Sequence, residues 1–146
     1  MNDLIPDEEY IDLVHTLMFS LKASMRSTLE ADETGLAPME ARALHFLQSH
    51  PGSPQSEFVQ ATGRDKAQVT RLFKPLIERG LVATIADDAD RRLQRLWLTE
   101  TGSQLQRRIA RHRTALARKM LAGLNSKERD QAATVLRKMI AGVHSD

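Results

Sequence analysis

Asp65-Lys66-Ala67-Gln68-Val69-Thr70-Arg71-Leu72-Phe73-Lys74-Pro75-Leu76-Ile77-Glu78-Arg79-Gly80 reads as one α-helix with two unlike faces. Val69, Leu72, Phe73, Leu76 and Ile77 recur at helical spacing and form a single apolar stripe. The opposite face carries Lys66, Ala67, Gln68, Thr70, Arg71 and Lys74, which are small, amide or cationic groups with no acid among them. Such groups match base edges and phosphates. Asp65 stands where an N-cap belongs, Gln68 completes a capping box, and Gly80 supplies the left-handed residue that closes the helix. Pro75 predicts a kink at Arg71, because it removes a backbone hydrogen bond and crowds the carbonyl four residues back, at a cost of about 3 kcal/mol. The bend is either absorbed beyond the first two turns or tunes how the helix lies against its partner.

Downstream, Leu81 to Ile85 is strand-like, Asp87 to Arg92 is charged and turn-rich, and Leu96-Trp97-Leu98 is extended again, which predicts a two-stranded hairpin. Asp90 and Arg92 are expected to pair across the turn and stiffen it, leaving Arg91 as an outward cation suited to a minor groove. An ordinary solvated hairpin of mixed charge is the plainer reading of the same residues. Upstream, Pro51-Gly52-Ser53-Pro54 marks a turn, Ser53 is expected to cap a short helix bearing Phe58 and Val59, and Thr62-Gly63-Arg64 turns tightly into the long helix. Arg64 and Lys74 fall where phosphates run. Helix, tight turn and helix at this spacing is the expected DNA-binding unit.

Further out, Leu13, Val14, Leu17, Met18, Leu21, Met25 and Leu29 predict a first helix from about residue 7 to about residue 30. Its apolar stripe is wide enough to favour packing on the last helices and on a second subunit over folding back on its own domain. Pro38 starts a second helix, with Ala43, Leu44, Phe46 and Leu47 facing inward. Beyond the hairpin, Thr99-Glu100-Thr101-Gly102 opens a long helix whose inward stripe is Leu105, Ile109, His112, Leu116 and Met120. Arg107, Arg108, Arg111, Arg113, Arg118 and Lys119 coat it, facing the acidic first helix or solvent, with a membrane surface or an acidic partner as the alternative. Asn125 and Glu128 are placed to cap a final helix carrying Ala132, Val135, Leu136, Met139, Ile140 and Val143.

In order and spacing, Asp65-Lys66, Val69-Thr70-Arg71-Leu72, Leu76, Arg79-Gly80-Leu81-Val82, Asp87, Asp90-Arg91-Arg92 and Leu98-Thr99-Glu100 with Gly102 resemble the MarR family of bacterial winged-helix transcription regulators. Leu36-Ala37-Pro38 extends the resemblance upstream, although Ala37 stands where the family usually has a Thr or Ser cap. The resemblance implies a mainly α fold with a small β-hairpin wing. A winged helix-turn-helix domain would span 36–99, and the N- and C-terminal helices, 1–35 and 100–146, would form a dimerisation region. It implies a homodimer on a pseudo-palindromic double-stranded operator, with the long helix in the major groove, Arg91 in the minor groove, and repression as the default. Release by a small-molecule effector is frequent in the family. Its ligands bind between the dimerisation helices and the winged helix, where this chain offers His15, Met18, Phe19, Met39, Phe46 and His112; those residues also read simply as core. The rival function is a winged-helix module that binds an acidic partner protein.

Composition bounds the rest. With 146 residues, 41% hydrophobic and 27% charged, the chain is ordinary globular protein rather than disordered or membranous. Its net charge of +2 hides an asymmetry: residues 1–60 hold 3 Lys/Arg against 10 Asp/Glu, and residues 61–146 hold 18 against 9. The basic half contains the long helix and the hairpin. No apolar run approaches the roughly 20 residues of a membrane span, and the acidic start Asp3, Asp7, Glu8 and Glu9 argues against a secretory signal, so a cytoplasmic protein is expected. His15, His45, His50, His112 and His144 lack metal-ligand spacing. No phosphate loop, nucleophile elbow or clustered acid–base pair is present, so neither cofactor, metal nor catalysis is expected. There is no cysteine, which removes thiol-based redox sensing. Diamide should therefore leave DNA binding by the purified protein unchanged, as measured by gel shift; reversible loss of binding would contradict this reading.

Overall fold

The computed structural model describes residues 4–146; Asp3, part of the acidic start, lies outside them. Nine elements follow in order: α1 (Asp7–Ala31), α2 (Pro38–Ser49), β1 (Ser53–Pro54), α3 (Gln55–Thr62), α4 (Lys66–Glu78), β2 (Val82–Ala86), β3 (Gln94–Leu98), α5 (Glu100–Leu121) and α6 (Ser126–His144). The described residues divide into two compact units, one running to Arg113 and the other from Thr114 to Asp146.

The first unit is built around α3 and α4. Val69, Phe73 and Leu76 of the expected stripe are fully buried, with Leu72 and Ile77 half-buried beside them. Phe58 of α3 meets Phe73 edge-on at 5.4 Å and Phe46 of α2 edge-on at 5.2 Å, the arrangement in which one ring's positive edge faces another's negative face. Leu29, Leu44, Leu47, Val82 and Leu96 are the other large side chains fully buried in this core. Pro75 does not end α4, which is continuous from Lys66 to Glu78.

The expected hairpin is present, but the sheet has three strands in the order β1-β3-β2. β2 and β3 are antiparallel, with Val82 opposite Leu98 and Thr84 opposite Leu96, while Ser53 of β1 also pairs with Leu96. This corrects the role expected of Ser53. It does not cap α3, whose N-cap is Pro54; its hydroxyl donates to His50 O at 2.6 Å, and the residue is committed to the sheet edge. Ala37, unable to cap, is served by Glu40, whose Oε1 accepts from Ala37 N at 2.8 Å. Only this half of a capping box can exist, since alanine has no acceptor side chain.

The junction between α4, the sheet and α5 is close-packed backbone. Gly80, at φ 72, turns the chain out of α4, Leu81 N donates to Leu76 O at 3.0 Å, and Thr99 N donates to Leu81 O at 3.1 Å. Thr99 Oγ1 accepts from Gly102 N at 3.0 Å and donates to Gly80 O at 2.6 Å, so it caps α5 while tying it to the end of α4. A Cβ at position 102 would fall 2.0 Å from Leu81 O. Gly102→Ala should therefore destabilise the protein by about 2 kcal/mol through overpacking, read from urea unfolding. Helix propensity alone favours alanine by about 1 kcal/mol, so a gain in stability would show that the close approach is not required.

Candidate nucleic-acid interface

The outer face of α4 is assembled as its spacing requires. Lys66, Ala67, Gln68, Thr70, Arg71 and Lys74 are all exposed, and Arg64 is half-buried in the turn before them. Asp65 Oδ1 accepts from Gln68 N at 2.8 Å, and Gln68 Oε1 accepts from Asp65 N at 3.3 Å, so the expected capping box is closed and the first turn of the helix is held. Among the described residues, the charged ends of Lys66, Arg71 and Lys74 make no ion pair or side-chain hydrogen bond. Thr70 is different: its hydroxyl lies 3.1 Å from Gln55 Oε1, a partner that the sequence reading missed.

The wing corrects another expectation. Asp90 does not pair with the Arg92 guanidinium; Asp90 Oδ1 accepts from the Arg92 backbone N–H at 3.1 Å. Two residues apart in a tight turn, the carboxylate reaches the backbone donor without ordering a long flexible side chain, which makes it the cheaper partner. The ion pair of the wing is Asp87 with Arg95. Asp87 Oδ1 accepts from Arg95 Nε at 2.7 Å, and Asp87 Oδ2 accepts from the backbone N–H groups of Ala89 and Asp90 at 3.1 and 2.9 Å. Arg95 also donates to Gly52 O at 3.0 Å, joining the loop end of the hairpin strands to the turn before β1. Arg91 and Arg92 are exposed, and among the described residues their guanidinium groups have no partner. Asp87 was visible only as a motif position, and Arg95 could be found only with the hairpin register in hand, because Arg95 is paired with Ile85, two residues before Asp87.

The six residues considered for a ligand pocket are not brought together within the chain. Met18 and Phe19 are exposed, and His15 lies tilted against Phe19 at 5.9 Å. Phe46 stacks on His50 at 4.5 Å. Met39 lines a cavity of about 820 Å³ with Lys22, Arg26, Leu36, Glu40 and Arg64, whereas His112 borders a separate one of about 420 Å³ beside Thr28 and Asp32. His112 Nε2–H donates to Asp32 Oδ2 at 2.8 Å, and Arg108 Nε donates to the same oxygen at 2.9 Å. His112 first and then Arg108 hold the Asp32 carboxyl below its usual range. Among the described residues no cluster could hold a metal ion. Burial, with Arg113 and Arg42 adding to it, pushes His45 down and so disfavours its charged form.

A helix with a cationic, acid-poor outer face, preceded by a tightly turned helix and followed by an antiparallel hairpin, defines a winged helix-turn-helix. Residues 34–93 match the sequence model of the MarR family. Over 76% of this chain and 70% of the relative, the sequence is 31% identical to the HTH-type transcriptional repressor NicR of Pseudomonas putida. It is 33% identical over 47% of the chain to the HTH-type transcriptional regulator PetP of Rhodobacter capsulatus, of whose length it spans 42%. The fold matches that of S. aureus MepR, solved in complex with DNA, at a TM-score of 0.82, covering 91% of this chain and 97% of that one at 21% identity. The chain belongs to the MarR family.

Arg95 and the backbone donors at residues 89 and 90 lower the Asp87 pKa, the Arg95 hydrogen bond being the largest cause. A depressed carboxyl stabilises the fold above its unfolded pKa, and this contribution is lost as pH falls through the lower folded value. Asp87→Ala should therefore melt below wild type at pH 7, with the gap closing below about pH 4. It should also melt below Asp90→Ala, which gives up only one backbone bond; thermal scans of the three proteins across pH decide this.

Proposed function

We propose that the protein is a homodimeric repressor that binds a pseudo-palindromic DNA operator and is released by a small-molecule effector. The observation that carries the reading is the exposed, acid-poor face of α4 on a helix fixed at its first turn. Lys66, Ala67, Gln68, Thr70 and Arg71 enter or approach the major groove, Arg64 and Lys74 contact phosphate, and Arg91 enters the minor groove. Asp87 and Arg95 brace the wing, while Asp90 shapes its tip. The cavity beside Met39 and Arg64 is the candidate seat of the effector. The protein acts by binding rather than catalysis, in the cytoplasm; no helix among the described residues is long and apolar enough to cross a membrane.

The segments 1–35 and 100–146 form the dimerisation region around the winged helix-turn-helix of 36–99. Supporting this, α1 exposes Leu13, Leu17, Met18 and Phe19, and α6 buries no residue, leaving Val135, Leu136, Ile140 and Val143 open. Exposed stripes of this size favour a second copy.

Selection of genomic fragments by the purified protein, followed by affinity measurements at two salt concentrations, tests the reading. Gln68→Ala and Arg71→Ala should each lower discrimination between operator and scrambled duplex by about 1–3 kcal/mol. Arg91→Ala should weaken both duplexes alike and shallow the salt dependence by roughly one counterion per wing. Equal binding of all fragments, or tight binding to an acidic protein without any to duplex DNA, would overturn the assignment.

A further inference from the structure

Thr70 stands midway along the exposed face of α4, and its hydroxyl lies within reach of two protein acceptors, Lys66 O at 2.9 Å and Gln55 Oε1 at 3.1 Å. A threonine hydroxyl has one proton. If that proton goes to Gln55 Oε1, the amide NH₂ of Gln55 is left outward. If it goes to Lys66 O, rotation of the Gln55 amide lets Nε2–H donate to Thr70 Oγ1 instead. In either arrangement Oγ1 is turned toward the protein and has no proton to donate to a neighbour. Threonine in a helix otherwise divides between two χ1 rotamers. The bond to Gln55, the first residue of α3 and 15 residues away in sequence, selects the one in which the oxygen is bonded to the protein.

We propose that Gln55 is a specificity-determining positioning residue, holding Thr70 so that its γ-methyl rather than its hydroxyl meets the major groove and reads the C5-methyl of a thymine. This rests on the DNA-binding reading of α4. The thymine methyl is the distinctive apolar group that base pairs present in the major groove, and a threonine methyl is a recognised partner for it. With its proton committed to the protein, Thr70 is unsuited to donate to guanine or to the thymine carbonyl, so the internal bond also excludes alternative readings.

The test replaces each thymine of the selected operator in turn by deoxyuridine, which removes only the C5-methyl group. One replacement per half-site should weaken wild-type binding about fourfold, the value of one buried methyl group. Gln55→Ala and Thr70→Ser should bind the thymine and uracil duplexes alike at that position. Thr70→Val keeps the methyl and should keep the difference, as should Gln55→Glu, which retains the acceptor for Thr70 even though its charge lowers affinity overall. Melting temperatures close to wild type for the four variants separate positioning from loss of fold. The proposal is overturned if no single replacement is sensed by wild type, if Gln55→Ala senses it undiminished, or if Thr70→Ser keeps the difference and Thr70→Val loses it. A wild-type protein with no sequence preference would instead remove the regulator reading beneath it.

Discussion

The backbone of one residue, Leu81, sets the geometry on which the interface depends. Its N–H closes the end of α4, and its carbonyl accepts from Thr99 and lies against the bare α-carbon of Gly102. Helix end, strand start and the next helix start therefore converge on two backbone atoms, with no side chain between them to yield. Backbone contacts of this kind adjust little, because no rotamer can absorb a shift. The direction in which α4 presents Lys66, Gln68 and Arg71 follows from this corner as much as from the stripe beneath the helix.

A second corner uses side chains instead. In the chain between α1 and α2 only Leu36 joins the core, and cations grip the carbonyl and carboxylate oxygens of its neighbours. Arg79, just past α4, donates to Gly35 O and Thr34 O, both at 3.1 Å, while Arg108 and His112 of α5 converge on Asp32. Thr34, buried beside them, donates its hydroxyl to Leu29 O and accepts from Leu36 N. Charge-assisted bonds to a loop suit a place where too few methyl groups are available for packing. They also link the end of α4 to α1 and α5 through a handful of residues.

What could be read in the sequence was local. Asp65 with Gln68 and Asn125 with Glu128 close capping boxes within four residues, and the stripe of α4 depends only on helical periodicity. Ser53 was misread because its strand partner, Leu96, lies far along the chain, and a serine before a helix looks the same whether it caps or pairs. Asp90 and Arg92 looked like an ion pair because opposite charges stand two residues apart, yet the backbone offered a donor that needed no side chain to be ordered. The Thr70–Gln55 bond spans two helices and has no periodic signature. The six pocket candidates came from a family likeness; the geometry of this chain separates Met39 from His112 and leaves His15 and Phe19 at the surface.

Bracing the wing just below its tip has a mechanical consequence. Asp87 and Arg95 clamp the loop end of the hairpin strands to the turn at Gly52, while beyond Asp90 the two guanidinium groups hang on unrestrained stems. The wing is thus a stiff stalk with a soft brush at its end. A brush of two long side chains conforms to grooves of differing width and loses conformational freedom on contact. On the proposed reading, the outer flanks of an operator would then be free to drift in sequence over evolutionary time while its centre, facing a helix on which Gln68 and Thr70 are held by hydrogen bonds, would not.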